Sequence, residues 1–288
     1  MVQAPQKIQK KRARANLTLI ITFSIAIVMI VLVGVFFRVG QPPENAPGKL
    51  SAAALQKVNY LSWQTEESIK KGKTKEALLH GQQLIDLLEK EKPDDWLLLT
   101  KACVLQSDLH RELGQWDKAV PFLKRAREIV ETHHLEEQNL TCEILLREGI
   151  VKFVNKDYVE SEQLFQQALG CTTSLTGYLS IESCGALQWL AMNSLTPAIN
   201  KPHKAMQYLR AIEEVCNSSQ TERPQQMLTC QKVEGMALIM MKKFPEAEEK
   251  LLAAQEIAER IFPDPNNNER THISELLKQA HDGKAQNQ

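Results

Sequence analysis

The sequence predicts an all-α protein: about five similar helix pairs in series, closed by a solitary C-terminal helix and preceded by one apolar span. Three observations carry this expectation. Beyond residue 50, Ala, Leu, Glu, Lys and Gln dominate, which is helix-forming composition. No segment alternates apolar and polar residues long enough to read as a sheet. A stripe that mixes small and large apolar residues also recurs. In "KKFPEAEEKLLAAQEI", residues 242–257, Phe244, Ala247, Leu251 and Ala254 are spaced three, four and three, and "GQWDKAVPFLKRAREI" and "KDYVESEQLFQQALG" repeat the pattern.

The N-terminal elements are read from charge and hydropathy. The whole chain is formally neutral, yet residues 1–49 hold seven cations against Glu44 alone, a charge of +6, which leaves −6 on the rest. An acidic body excludes a nucleic-acid partner, which would require a basic footprint. Residues 1–16 form a basic tail carrying Lys7, Lys10, Lys11, Arg12 and Arg14. Residues 17–37, "LTLIITFSIAIVMIVLVGVFF", are 21 residues without a charge. At 1.5 Å per residue they reach about 30 Å, the thickness of a bilayer core. A cleaved signal would have a shorter apolar region ending in a small-x-small site, and "VFFRVGQPP" offers none. We therefore expect a retained single-pass signal-anchor contacting the lipid bilayer. The positive-inside bias puts its N-terminus in the cytoplasm and the body across the membrane. A bacterial inner membrane with a periplasmic body is the favoured setting; the alternative is an organelle membrane with a cytosolic body. Residues 38–50, rich in Pro and Gly, then form a linker.

The repeat occupies residues 51–282. Aligned on the small residue, five copies are keyed to Ala77, Ala119, Ser161, Ala205 and Ala247, spaced 42, 42, 44 and 42. Three residues before each key stands Thr74, Trp116, Tyr158, Pro202 or Phe244. Four residues after stands Gly81, Leu123, Phe165, Leu209 or Leu251, and twelve before, always small or short, Thr65, Ser107, Gly149, Asn193 or Gly235. Small residues at such positions let two helices cross closely without leaving a cavity. Pro224 and Pro245 sit where helices should start, a position at which the missing N–H costs little. "ERTHISELLKQAHDG" reads as the capping helix, and residues 283–288 as a disordered tail.

These offsets resemble the tetratricopeptide repeat (TPR), with "GMALIMMKKFPEAEEKLLAAQEI" the closest stretch. The 42-residue period is similar to the longer variant of kinesin light chains. The resemblance implies a right-handed solenoid whose first helices line a concave groove for a protein or peptide partner. On that register the groove would be lined by Asn59, Trp63, Glu66, Lys101, Leu105, Asp108, Arg111, Glu143, Arg147, Ile150 and Phe153. The basic and Asn set of chaperone-binding members is not recognisable, so an EEVD-type ligand is not expected.

Chemistry-bearing motifs are missing from the sequence. There is no HExxH, G-x-S-x-G or Walker loop, so we expect no enzyme, no catalytic residue, no cofactor and no metal. Cys171 with Cys184 and Cys216 with Cys230, separated by 13 and 14, bracket equivalent connectors, and two disulfides there would staple them in an oxidising compartment. The expected function is a membrane-anchored scaffold or adaptor for protein–protein interaction, in assembly of membrane or envelope complexes. The alternatives are a homo-oligomeric platform and a non-catalytic regulatory subunit of a membrane-bound enzyme.

Overall fold

The computed structural model describes residues 50–91, 96–135, 139–177, 179–218 and 223–286. The basic tail, the apolar run 17–37 and the linker up to residue 49 lie outside the described residues. Among the described residues no helix is long and apolar enough to cross a membrane.

Eleven α-helices account for the described chain, which contains no strand. They are α1 Ala52–Lys70, α2 Thr74–Glu91, α3 Trp96–Glu112, α4 Trp116–His133, α5 Leu140–Val154, α6 Tyr158–Thr176, α7 Cys184–Ser194, α8 Pro202–Ser218, α9 Pro224–Met240, α10 Phe244–Ile261 and α11 Asn268–Gln286. They fall into two compact units, Met1–Glu136 with α1–α4 and Glu137–Gln288 with α5–α11. Within each unit the contacts chiefly join consecutive helices, so each unit is a stack of antiparallel pairs.

The key stripe is the core of every pair. Ala77, Ala119, Ser161, Ala205 and Ala247 are all fully buried, and each second helix begins three residues before its key. Opposite the large residue four after the key lies the small one twelve before it. An added Cβ at Gly149 would fall 2.6 Å from the Phe165 ring, and one at Gly235 would fall 2.5 Å from Leu251. Ser161, the one polar key, donates its hydroxyl to the Gly149 carbonyl at 3.0 Å. The first pair inverts the sizes, with Thr65 and Gly81. There the amide of Gln106, from α3, fills the space over Gly81 and donates to the Leu78 carbonyl at 2.8 Å.

The turns inside the pairs share one backbone device. Five residues before each key, Gly72, Gly114, Lys156, Asn200 and Lys242 all take positive φ, between 48° and 70°. In four pairs the following N–H closes onto a carbonyl five residues back, as in Lys73 to Ser68 and Lys243 to Leu238. The fourth pair differs: α7 stops early at Ser194, and the N–H of Lys201 reaches back to the Ser194 carbonyl across the connector 195–201.

The second unit ends as expected, with a lone helix shielding the last pair. Ile273, Leu276 and Ala280 of α11 are buried, Gly283 lies against the Phe244 ring, and Lys284 pairs with Glu248 at 2.8 Å. Residues 283–286, expected as a disordered tail, therefore continue the helix: Gly283 admits the aromatic ring, and that contact together with the ion pair carries α11 on to Gln286.

Two glycines test this account in opposite directions. Gly235→Val should cost about 1–3 kcal/mol by overpacking against Leu251. Gly170→Ala, in α6 with open space around it, should instead stabilise by about 0.5–1 kcal/mol through helix propensity. Paired thermal or urea melts of the two variants check both signs.

Candidate protein-binding surface

On α1 the expected residues share one face. Asn59 and Trp63 are exposed, and Glu66 is half-buried with its carboxyl pushed upward by burial. The apolar positions of α1 that face its neighbours, Val58, Leu61 and Ile69, are spaced to leave this side outward. Tyr60, absent from the sequence-level set, sits beside Trp63 with ring centroids 6.3 Å apart; its hydroxyl accepts from Gln64 at 2.6 Å. The two residues are 55% and 57% exposed, and no other aromatic among the described residues of the first unit is exposed to that degree. The i, i+3 spacing of the two aromatics was the available signal.

On α3, Lys101 and Leu105 are half-buried, and Asp108 is buried and paired with Arg111 at 3.1 Å. Glu112, at the end of the same helix, was missed. One of its oxygens is sealed from solvent without a hydrogen bond, and burial, reinforced by the charge of Asp108 and opposed by Arg111, raises its carboxyl to about 7. Two acids one turn apart with a single Arg between them in sequence were the legible clue; the burial was not.

On α5 the sequence reading divides. Glu143 accepts an ion pair from Arg147 at 3.3 Å, both partly accessible. Ile150, by contrast, is 5% exposed and belongs to the core, so it has no surface to offer a peptide. Phe153 is engaged edge-on by Tyr158 and Trp189, at 5.5 and 5.3 Å, and acts as packing between α5, α6 and α7. The helical register placed both on the groove side, but Ile150 is closed over by its neighbours, while Phe153 is half-buried against the two rings. Elsewhere in the first unit, Trp96 stacks on His133 at 3.9 Å, so that pair is structural.

Among the described residues no three His, Cys, Asp or Glu side chains are grouped to hold a metal. A shallow depression of about 390 Å³ lies over α1 and α2, lined by Lys57, Gln83, Asp86, Leu87 and Lys90.

No protein-family model matches the chain, and no curated protein matches it. Solved structures do. BtubC (BKLC) from P. vanneervenii is similar with a TM-score of 0.59 at 18% identity, covering 73% of this chain and 93% of its own. A Podosopora anserina putative kinesin light chain with nearly identical TPR-like repeats gives 0.55 at 15% identity, covering 73% and 96%. The fold is TPR-like. At these identities the likeness speaks to architecture, and the TPR-like frame accounts for the repeated key, the turn and the closing helix.

The cysteines depart from expectation. Cys142 of α5 is bonded to Cys171 of α6, with Cα atoms 5.4 Å apart, which takes Cys171 away from the pairing with Cys184. Cys184, Cys216 and Cys230 are buried thiols, so neither expected connector staple is present. The reason is geometric: facing helices of one pair bring Cys142 and Cys171 together, whereas positions either side of a connector need not approach.

Glu112 makes folding pH-dependent. Its folded value, about 7, lies above the unfolded 4.5, so the native state holds the proton more tightly. Its contribution is most favourable below 4.5, declines as pH rises to about 7, and is flat above. Glu112→Gln should be near neutral at low pH and stabilising by about 1–2 kcal/mol at pH 8, checked by urea unfolding across pH.

Proposed function

We propose that this protein is a membrane-tethered TPR-like scaffold that holds a protein segment against the exposed aromatic face of its first unit. The observation that carries the reading is the Tyr60–Trp63 pair, more than half exposed on a helix whose other large apolar residues are mostly packed inward. Aromatic side chains give large contact area at small entropic cost and commonly dominate binding energy. Asn59 and Glu66 flank the rings with polar groups able to orient a peptide backbone.

The tether rests on the uncharged run 17–37 and the cations before it. It would confine the binding face near the bilayer and raise its effective concentration for membrane-bound clients. An extracytoplasmic body is supported by the Cys142–Cys171 disulfide, since such bonds persist in oxidising compartments. We assign the chain no catalysis of its own, and its role in assembly of membrane complexes follows from display rather than chemistry.

Two measurements check these parts separately. Removing residues 1–37 should move the protein from the carbonate-resistant membrane fraction to the soluble one. Tyr60→Ala/Trp63→Ala in the full chain should reduce recovery of its client from gently solubilised membranes by about tenfold or more, with helicity unchanged by circular dichroism. Equal recovery from both proteins would exclude the aromatic face as the binding surface, and sedimentation of the same pair reads self-association through it.

A further inference from the structure

Tyr60 and Trp63 lie on the helix into which the N-terminal segment leads. Ser51 caps that helix: its hydroxyl accepts from the Ala54 N–H at 3.1 Å, and its backbone is extended, with φ −59° and ψ 155°. Just before it the sequence reads "QPPENAPGK", residues 41–49. In polyproline form, at about 3.1 Å per residue, the chain from Pro43 or Pro42 to Ser51 spans about 25 or 28 Å. Tyr60 and Trp63 stand only about 12 and 17 Å beyond the start of α1, at 1.5 Å per residue. About 10 Å therefore remains for one reversal, and Pro47-Gly48 is a turn dipeptide placed to make it. On such a return path Glu44, Pro43 and Pro42 run in the same order as Lys57, Tyr60 and Trp63. Charge agrees with this order. Lys57 is exposed and borders the depression over α1 and α2 together with Lys90, while Asp86 there already accepts from Gln82 at 2.8 Å. Glu44, the sole acid of residues 1–49, complements that excess of positive charge.

We propose that the proline-rich segment 41–47 lies on the Tyr60 and Trp63 rings as their resident occupant, with Glu44 beside Lys57, and that a client must displace it. The inference rests on the reading of this face as a site for protein segments, and names what holds it between clients. Proline suits the rings. A polyproline segment is ordered in advance, so docking costs it little entropy, and Pro-rich segments dock on aromatic-lined surfaces. Attachment strengthens the contact, because a short linker gives an effective concentration on the order of millimolar. A contact too weak to hold a free peptide is thereby kept, and a client competes against it.

The test exposes the full-length protein in dilute detergent to hydroxyl radicals and reads oxidation of Tyr60 and Trp63 by mass spectrometry, with Trp116 as internal reference. In Pro42→Ser/Pro43→Ser, oxidation of both rings should rise about threefold or more over wild type, and Glu44→Lys should move it the same way. Equal oxidation in wild type and the proline variant overturns the docking. If both are then protected, loss of protection on dilution identifies a second copy as the occupant, and protection found only in bilayer nanodiscs identifies lipid. The result separates from that of the scaffold reading. Rings equally open in both proteins, with client still lost from Tyr60→Ala/Trp63→Ala, overturn the docked segment and leave the scaffold standing. Rings uncovered by the proline changes, with client recovery unmoved by the alanine pair, keep the docked segment and overturn the client site.

Discussion

The whole architecture depends on how closely two helices can approach at the small-residue stripe. Ala77, Ala119, Ser161, Ala205 and Ala247 occupy the line along which each second helix meets the first, and none has any solvent exposure. A larger side chain there would push the helices apart and forfeit dispersion contacts along the full crossing. The compensating large residues, such as Phe165 over Gly149 and Leu251 over Gly235, fill the room that the missing Cβ atoms leave. Size is therefore distributed between partners rather than assigned to fixed positions. This is why the first pair can reverse it and use Gln106 as filler.

Close approach also dictates the turn. A second helix can start three residues before its key only if the chain reverses within a few residues, and one residue in left-handed conformation does so. Glycine fills that position in the first two pairs, while Lys156, Asn200 and Lys242 accept it elsewhere. A lysine with positive φ is unfavourable in isolation, so packing of the pair imposes it. The last pair is followed by α11, which covers its exposed side: Ile273, Leu276 and Ala280 are buried like a repeat's own residues.

Surface accessibility obeys a different logic from the core. The register that located the keys also puts Trp63 on an exposed face of α1, since both positions follow from helical periodicity. It did not foresee that Ile150 and Asp108 are buried, because accessibility depends on what a neighbouring helix covers, and periodicity on one helix does not contain that information. The same gap hid Glu112, whose composition is ordinary and whose environment is not. Cysteines fared likewise: equal sequence separations suggested staples across connectors, while the facing helices of one pair brought Cys142 to Cys171 instead.

Helix class, the number and period of the pairs, the start of each second helix and the closing helix were all legible in the sequence. They follow from the size and spacing of side chains along one chain, which local steric rules govern. The apolar run 17–37 is likewise a property of sequence alone. Tertiary structure decided which residues of each face stay open, which sulfurs meet, and which carboxyl is cut off from water. Those outcomes depend on distances between residues remote in sequence, set by how one helix lies across the next.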